Sequence, residues 1–221
     1  MIKNLILDFD GTLADSSIGI YQAFTSSSHK IQLQPPVYEK FKDSIGPPID
    51  KLIEIYYPVI SETKKKEMIV DFRRYYDEVF FKNFHFYNGV IETIDYFIQK
   101  NKNLFIVTNK PTITCQKILN ISRLSNKFKS VIGIDYKIIA KEKDAKAFED
   151  KSSALEYFFS NNNYHKKESI YVGDTLSDKK ASGKVDVTFV AAKYGFFSWN
   201  AKDLPELSIN SFAELKVLIN C

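Results

Sequence analysis

Short apolar runs recur along this sequence, and stretches long enough for a helix separate them. The first run, Asn4–Phe9, has the length and composition of a buried parallel strand and gives way to a turn at Gly11. The later runs are Leu104–Val107, Ser130–Ile134, Ile170–Val172 and Val187–Val190. Apolar residues at three- and four-residue steps predict helices at Val90–Lys100, Thr112–Ile121, Ser152–Phe159 and Phe212–Ile219. This alternation predicts an α/β fold built on a doubly wound, Rossmann-like parallel sheet.

One interval breaks the alternation, because 94 residues separate Phe9 from Leu104, far more than one crossover helix requires. The interval shows helical spacing at Ile18–Phe24, Val37–Ser44, Ile49–Tyr57 and from Ser61 to about Asn83. The last stretch carries an aromatic stripe that is typical of core packing, formed by Met68, Phe72, Tyr75, Tyr76, Val79 and Phe80. We therefore expect an all-helical domain at residues 16–86, called the helical insert below, within a core domain of residues 1–15 and 87–221.

The amino-acid composition indicates a globular protein and argues against several kinds of partner. Hydrophobic residues make up 44% and charged residues 26% of the chain, as in ordinary soluble globular proteins. Among 31 basic residues only Arg73, Arg74 and Arg123 are arginines, and the lysines are scattered, so we expect no nucleic-acid partner. Two distant cysteines indicate neither a disulfide framework nor a zinc site, and the amino terminus matches neither a signal peptide nor a membrane span. We expect a cytoplasmic monomer or homodimer without a membrane partner.

The strongest chemical signal is the run Asp8-Phe9-Asp10-Gly11-Thr12, where a buried strand gives way to a turn. Two carboxylates so close together repel each other and need a cation or a shared proton. Gly11 allows a close approach of the backbone to a ligand, and Thr12 offers a hydroxyl and an amide to oxyanions. The structural alternative is an Asp-Gly turn with a capping aspartate.

A second acidic run, Gly173-Asp174-Thr175-Leu176-Ser177-Asp178, also follows an apolar strand. Parallel strands place their carboxyl ends at one edge of the sheet, where open α/β sheets bind ligands. Four carboxylates, those of Asp8, Asp10, Asp174 and Asp178, are therefore predicted to converge on a hard divalent cation. Oxygen ligands without histidine or cysteine favour Mg²⁺. Alternatively, Asp178 caps the following helix.

The two acidic runs strengthen two weaker signals in the sequence. The strand end Thr108-Asn109 brings a hydroxyl and an amide to the same edge, although helix capping explains either residue equally well. Lys151 opens a predicted helix and is one lysine among many.

Taken in order, Asp8-x-Asp10-Gly11-Thr12, Thr108-Asn109, a lysine, and Gly173-Asp174 with Asp178 resemble the haloacid dehalogenase superfamily of phosphohydrolases over nearly the whole chain. The resemblance implies that Asp8 is the nucleophile, Asp10 the general acid and base, and that Thr108 and Lys151 hold the phosphoryl group. It also implies that Asp174 holds Mg²⁺ with support from Asp178. Gly11, Thr12 and Asn109 are further expected to contact the substrate.

The helical insert resembles the cap of the phosphoglycolate phosphatase-like branch. Within it, Ser44-Ile45-Gly46-Pro47-Pro48 is similar to that branch's substrate-facing loop, so Gly46 is a candidate substrate-binding residue. The sequence departs from the pattern of the family in two places. The Lys-Pro-x-Pro form of the lysine motif is absent, so Lys151 is chosen because Asp150–Leu155 resembles another form, with Lys146 and Lys143 as alternatives. Asp186 stands where relatives often carry glycine, and aspartate tolerates a left-handed turn.

The resemblance implies a Mg²⁺-dependent phosphatase that acts on a small phosphorylated metabolite through an aspartyl-phosphate. A dehalogenase is disfavoured because Asp10 is present, whereas a phosphomutase shares the same acids and stays open. A receiver-type signalling domain would leave the long interval unexplained. A catalytically silent binding protein is the remaining alternative, although every motif acid is present.

Overall fold

A computed structural model of the chain describes residues 1–134 and 148–220. The strands are β1 (Asn4–Leu7), β2 (Ala14–Asp15), β3 (His85–Phe86), β4 (Asn103–Thr108), β5 (Ser130–Gly133), β6 (Ser169–Gly173), β7 (Thr188–Ala192) and β8 (Ser208–Ile209). The helices are α1 (Ser17–Lys30), α2 (Tyr38–Lys42), α3 (Ile49–Tyr56), α4 (Glu62–Glu78), α5 (Val90–Gln99), α6 (Thr112–Ile121), α7 (Lys151–Ser160), α8 (Leu176–Lys184) and α9 (Leu215–Asn220).

Six strands form one sheet in the order β5-β4-β1-β6-β7-β8, and every pairing in it is parallel. Strand β1 is central because β4 and β6 pair with its two edges. The carboxyl ends of β4, β1 and β6 therefore lie side by side at one edge of the sheet. This arrangement confirms the predicted doubly wound sheet.

Alternate residues of β1 point to opposite faces of the sheet, as a strand's period of two requires. Leu5 and Leu7 pack into one buried cluster with residues of α5, α6 and α9, while Ile6 packs into another with residues of α7 and α8. Helices therefore cover both faces of β1, which explains why Leu5, Ile6 and Leu7 are apolar in succession.

The helical insert has its own hydrophobic cluster, formed by residues of α1 to α4 and joined by Phe196 from the loop after β7. Where the insert joins the core, β2 and β3 pair as a short antiparallel ribbon. The predicted long helix from Ser61 is shorter than expected: α4 ends at Glu78, and a 3-10 turn follows at Phe80–Lys82. Ser61 caps α4 by accepting the Lys64 N–H.

Two further details of the structure can be compared with what the sequence predicts. Asp186 adopts a left-handed conformation with φ 54°, the kind of turn that aspartate tolerates. Strand β8 and the β2–β3 ribbon were not predicted, because two-residue strands carry too little pattern to recognise. Along the residues that the structure describes, no helix is both long enough and apolar enough to cross a membrane.

Candidate active site

The polar side chains of the predicted site stand at the ends of three adjacent strands. Asp8 follows β1, Thr108 is the last residue of β4, and Asp174 follows β6. All three are buried. The N–H of Asp8 donates to the Val172 carbonyl at 2.9 Å, which fixes the turn at the end of β1 against β6.

The carboxylate of Asp174 lies in a space that two glycines leave open. A Cβ on Gly11, which has φ 81°, would stand 2.1 Å from Asp174 Oδ2, and a Cβ on Gly195 would stand 2.5 Å from the same oxygen. Only glycine fits at both positions. The Phe196 N–H donates to Asp174 Oδ2 at 2.8 Å, so the loop after β7 holds the carboxylate in place.

Lys151 joins two of the acids. Its Nζ donates to Asp8 Oδ2 at 2.9 Å and also to Asp178 Oδ1. The lysine is the first residue of α7, whose start is fixed by a capping box between Asp150 and Ser153. Of the three candidate lysines Lys151 lies at the site, whereas Lys143 and Lys146 lie outside the described residues.

Asp178 is fully engaged by protein donors. Besides Lys151, its Oδ1 accepts from the Tyr171 hydroxyl at 3.0 Å, and its Oδ2 accepts from the N–H and the hydroxyl of Thr175 at 2.9 and 2.6 Å. The bond from the Thr175 N–H, together with the bond from the Asp178 N–H to the Thr175 hydroxyl oxygen, forms the capping box of α8. Asp178 therefore helps to cap its helix, as the alternative from the sequence proposed, and holds Lys151 at the same time.

Asp8, Asp174 and Asp178 each place one carboxylate oxygen within 4.8 Å of the others. Burial raises the pKa of Asp8 to about 6, although the Lys151 ammonium acts in the opposite direction. Burial, with the charges of Asp178 and Asp8, also raises the pKa of Asp174 well above its ordinary value. Three carboxylates beside one ammonium leave an excess of negative charge that a divalent cation would neutralise.

A second observation indicates that Asp8 receives a ligand. Oδ1 of Asp8 is buried and has no hydrogen-bond partner among the described residues, although its other oxygen accepts from Lys151. A buried carboxylate oxygen without a partner is costly unless a ligand supplies one. The donor set consists of oxygens only, which suits Mg²⁺, so the residues present fit the ion that the sequence predicts.

Asp10 lies apart from this group of three carboxylates. Both of its oxygens accept from Lys110 Nζ, at 2.8 and 2.9 Å, and Oδ1 also accepts from the Ser16 hydroxyl. Lys110 in turn donates to the Tyr76 hydroxyl at 2.7 Å. The carboxylate of Asp10, which the sequence groups with the predicted cation ligands, is held in an ion pair with Lys110 in this structure.

Burial alone would lower the pKa of Lys110, but the Asp10 carboxylate and the Tyr76 hydroxyl raise it above its usual value. The lysine therefore stays an ammonium at neutral pH. Sequence reasoning gave Lys110 no role, although it directly follows Thr108-Asn109. Tyr76 was assigned to the aromatic core stripe, and it does pack there by stacking on Phe72.

A pocket between the core and the helical insert opens onto Asp8 and Asp10. Its cavity volume is about 60 Å³, it is partly open to solvent, and its walls include Thr108 and Asn109 from the core with Gly46 and Arg73 from the insert. The insert therefore forms one wall of the site.

Two residues that are expected to contact the substrate also make hydrogen bonds within the protein. The Thr12 hydroxyl donates to Asp174 Oδ1 at 3.5 Å and its N–H to the Phe9 carbonyl at 3.3 Å, so Thr12 contacts the carboxylate of Asp174. Asn109 donates from Nδ2 to the Gly46 carbonyl at 2.9 Å and so holds the predicted loop of the insert. The side-chain hydrogen bonds of both residues reach distant parts of the chain.

Comparisons with known proteins agree with the resemblance that the motifs show. The sequence profile of the haloacid dehalogenase-like hydrolase family matches residues 5–192. The chain is 27% identical to a phosphoglycolate phosphatase from Photobacterium profundum, covering 97% of this chain and 94% of the relative. It is 20% identical to a 5'-nucleotidase from Pseudomonas aeruginosa, covering 88% and 84%.

The fold is shared with solved structures. A predicted phosphatase from Clostridium acetobutylicum superposes over 100% of both chains with a TM-score of 0.88 at 23% identity. These findings confirm the resemblance seen in the motifs and the prediction that the chain is a hydrolase of the phosphatase kind. The chain belongs to the haloacid dehalogenase-like hydrolase family.

Proposed function

We propose that this enzyme hydrolyses small phosphomonoesters with Mg²⁺ through a phosphoryl group carried on Asp8. The observation that supports this most is the Asp8 carboxylate itself. One oxygen is held by Lys151, while Oδ1 has no partner among the described residues, and the residue lines the pocket. A nucleophilic carboxylate needs one oxygen that is free to attack phosphorus, while its other oxygen is held in place.

Mg²⁺ would be held by Asp8 and Asp174, with Asp178 completing the group of acids. When bound, the ion reduces the repulsion between the phosphate dianion and the attacking carboxylate. Lys151 assists, because within the described part of the chain Asp8 and Asp178 take two of its three N–H bonds, and the third can donate to a phosphoryl oxygen. The Thr108 hydroxyl, at the end of β4, is the neutral donor to the same group.

The reaction then proceeds in two displacements. Oδ1 of Asp8 forms a bond to phosphorus while the bond from phosphorus to the ester oxygen breaks, and Asp10, which must carry a proton for this step, gives that proton to the departing alkoxide. Asp10, now a carboxylate, takes a proton from a water molecule as that water attacks the phosphorus of the aspartyl-phosphate. Phosphate and Asp8 are released, and Asp10 carries a proton again.

We further propose that residues 16–86 act as a cap that selects the leaving group. The insert supplies one wall of the pocket, including Gly46 and the buried Arg73. The relatives named phosphoglycolate phosphatase make a small phosphorylated acid the first substrate to test, and the relative named 5'-nucleotidase adds nucleoside monophosphates. A compact pocket favours the smaller ester.

A screen of phosphorylated metabolites with Mg²⁺, read as released inorganic phosphate, tests this function. We expect phosphate release that disappears in Asp8→Asn. A sugar phosphate that is isomerised without phosphate release would indicate a phosphomutase instead. No release from any ester, including p-nitrophenyl phosphate, would refute the proposal.

A further inference from the structure

Lys110 is a buried lysine whose hydrogen bonds are all satisfied inside the protein. Its Nζ donates to Oδ1 and Oδ2 of Asp10, at 2.8 and 2.9 Å, and to the Tyr76 hydroxyl at 2.7 Å. An ammonium has three N–H bonds, so these three acceptors use its whole donor capacity. None is left for a bound phosphate, and Lys110 is therefore not a second phosphate-binding lysine beside Lys151.

The acceptors belong to different parts of the fold. Asp10 follows β1 in the core, whereas Tyr76 lies on α4 of the helical insert and belongs to the hydrophobic cluster of the insert. The Lys110 ammonium also lies 4.6 Å from the centre of the Tyr76 ring, which adds a cation–π contact. Lys110 therefore links the carboxylate of Asp10 to the insert by a buried, charged contact.

A second contact on Asp10 also comes from the insert. The hydroxyl of Ser16, where the insert begins, donates to Asp10 Oδ1. The carboxylate is thus held from one side by the start of the insert and from the other by Lys110 and its partner Tyr76. A shift of the insert relative to the core would change both contacts.

We infer that Lys110 is a positioning residue that makes the orientation of Asp10 depend on the position of the helical insert, with Tyr76 as the sensing contact. Proton transfer to the leaving group is then efficient only when the insert lies over the pocket. This inference rests on the proposed role of Asp10 in the reaction. It assigns to Lys110 and Tyr76 a function that neither the motif nor the aromatic stripe indicates.

The test compares two substrates that differ in their need for an acid. An alkyl phosphate releases an alkoxide that needs a proton, whereas p-nitrophenyl phosphate releases a stable phenolate. Because kcat/KM covers only the steps up to leaving-group departure, Lys110→Met should lower it by about 100-fold for the alkyl ester and by less than about tenfold for the aryl ester. Tyr76→Phe should show the same selectivity with a smaller loss, and Lys110→Arg should restore part of the rate.

Matched controls are Lys65→Met and Tyr57→Phe, which remove an ion-paired lysine and a hydrogen-bonded hydroxyl elsewhere in the insert. Both variants should leave the ratio of kcat/KM for the alkyl ester to kcat/KM for the aryl ester unchanged. Equal losses on both substrates in Lys110→Met would overturn the inference, because a structural defect does not distinguish leaving groups. So would a Tyr76→Phe enzyme identical to the wild type.

Amide hydrogen exchange gives a readout that needs no turnover. In Tyr76→Phe, the amides of residues 10–16 should exchange about tenfold faster than in the wild type, the effect expected from losing one hydrogen bond to a charged group. Unchanged exchange there would overturn the coupling. A wild-type enzyme that releases no phosphate would refute the proposed function, whereas the exchange result would still decide the role of Lys110.

Discussion

Asn109 donates a hydrogen bond of 2.9 Å to the backbone carbonyl of Gly46, and this bond ties the end of β4 to a loop of the helical insert. Gly46 has φ 138°, and a Cβ there would stand 2.9 Å from Cγ2 of Thr175. The loop is therefore held at the pocket by a conformation and a space that suit glycine.

Gly46→Ala should reduce kcat/KM for the physiological substrate by much more than for p-nitrophenyl phosphate. The strained loop loses contacts to a specific leaving group, which a generic aryl ester does not use. Steady-state kinetics on both esters measure the difference. The control is Gly183→Ala, within α8, where a Cβ meets no atom within 4 Å. Equal losses on both esters would mean that the loop supports the fold and does not select the substrate.

Asp8→Asn should abolish phosphate release and leave the fold intact, because the amide keeps the shape of the side chain but is not a nucleophile. Phosphate assays and circular dichroism measure the two effects. Asp186→Asn is the matched control, since asparagine also tolerates the left-handed turn at that position. Turnover retained in a clean Asp8→Asn preparation would disprove the assignment of the nucleophile.

The raised pKa of Asp8 predicts a pH-dependent stability in the metal-free protein. Burial raises this pKa from 3.8 to about 6, so the folded state keeps a proton that the unfolded state has lost between about pH 4 and pH 6. The contribution of Asp8 to stability therefore falls as the pH rises through that window. The asparagine of Asp8→Asn does not titrate, so the variant does not lose this stability. The free energy of unfolding of the variant minus that of the wild type should therefore rise by up to about 3 kcal/mol from pH 4 to pH 7. Urea titrations at several pH values would contradict this if the difference stayed constant.

Asp174→Ala should weaken Mg²⁺ binding more than Asp178→Ala. The four contacts to Asp178 come from protein donors, whereas Asp174 accepts one short bond, from Phe196, and a long one from Thr12. Calorimetric titration of each variant with Mg²⁺ gives the order directly. The reverse order would assign the ion to Asp178.

Mg²⁺ should restore activity after chelation, and Ca²⁺ should not. Calcium takes a larger and looser shell of oxygens, which would misplace the attacking carboxylate relative to the phosphate. The measurement is phosphate release from the chelated enzyme after each metal is added back. Full activity in excess chelator would contradict the proposed role of the ion.

The sequence was sufficient to predict the sheet and the strand ends, because both are set by local patterns. Asp8, Thr108 and Asp174 each follow or end an apolar run, and parallel pairing brings those ends together. The role of Lys110 was not predictable in this way. Its partner Tyr76 lies 34 residues away, on a helix whose position against the core no local pattern specifies.

The same limit applies to Thr12 and Asn109. Each carries a side chain suited to an oxyanion, and each instead donates to a group distant in sequence, Asp174 or Gly46. Residue type and spacing indicate which side chains reach the edge of the sheet. Which of them remain available to a ligand depends on how the helical insert and the loop after β7 pack around them.

Phe196 bears on how this enzyme could be re-engineered. Its ring packs in the hydrophobic cluster of the helical insert, while its backbone N–H binds Asp174. An exchange of the insert for that of a relative would therefore replace the surroundings of a residue that holds a candidate cation ligand. Chimaeras designed to change substrate preference should carry the loop after β7 together with residues 16–86, because Phe196 packs in the same hydrophobic cluster as the insert.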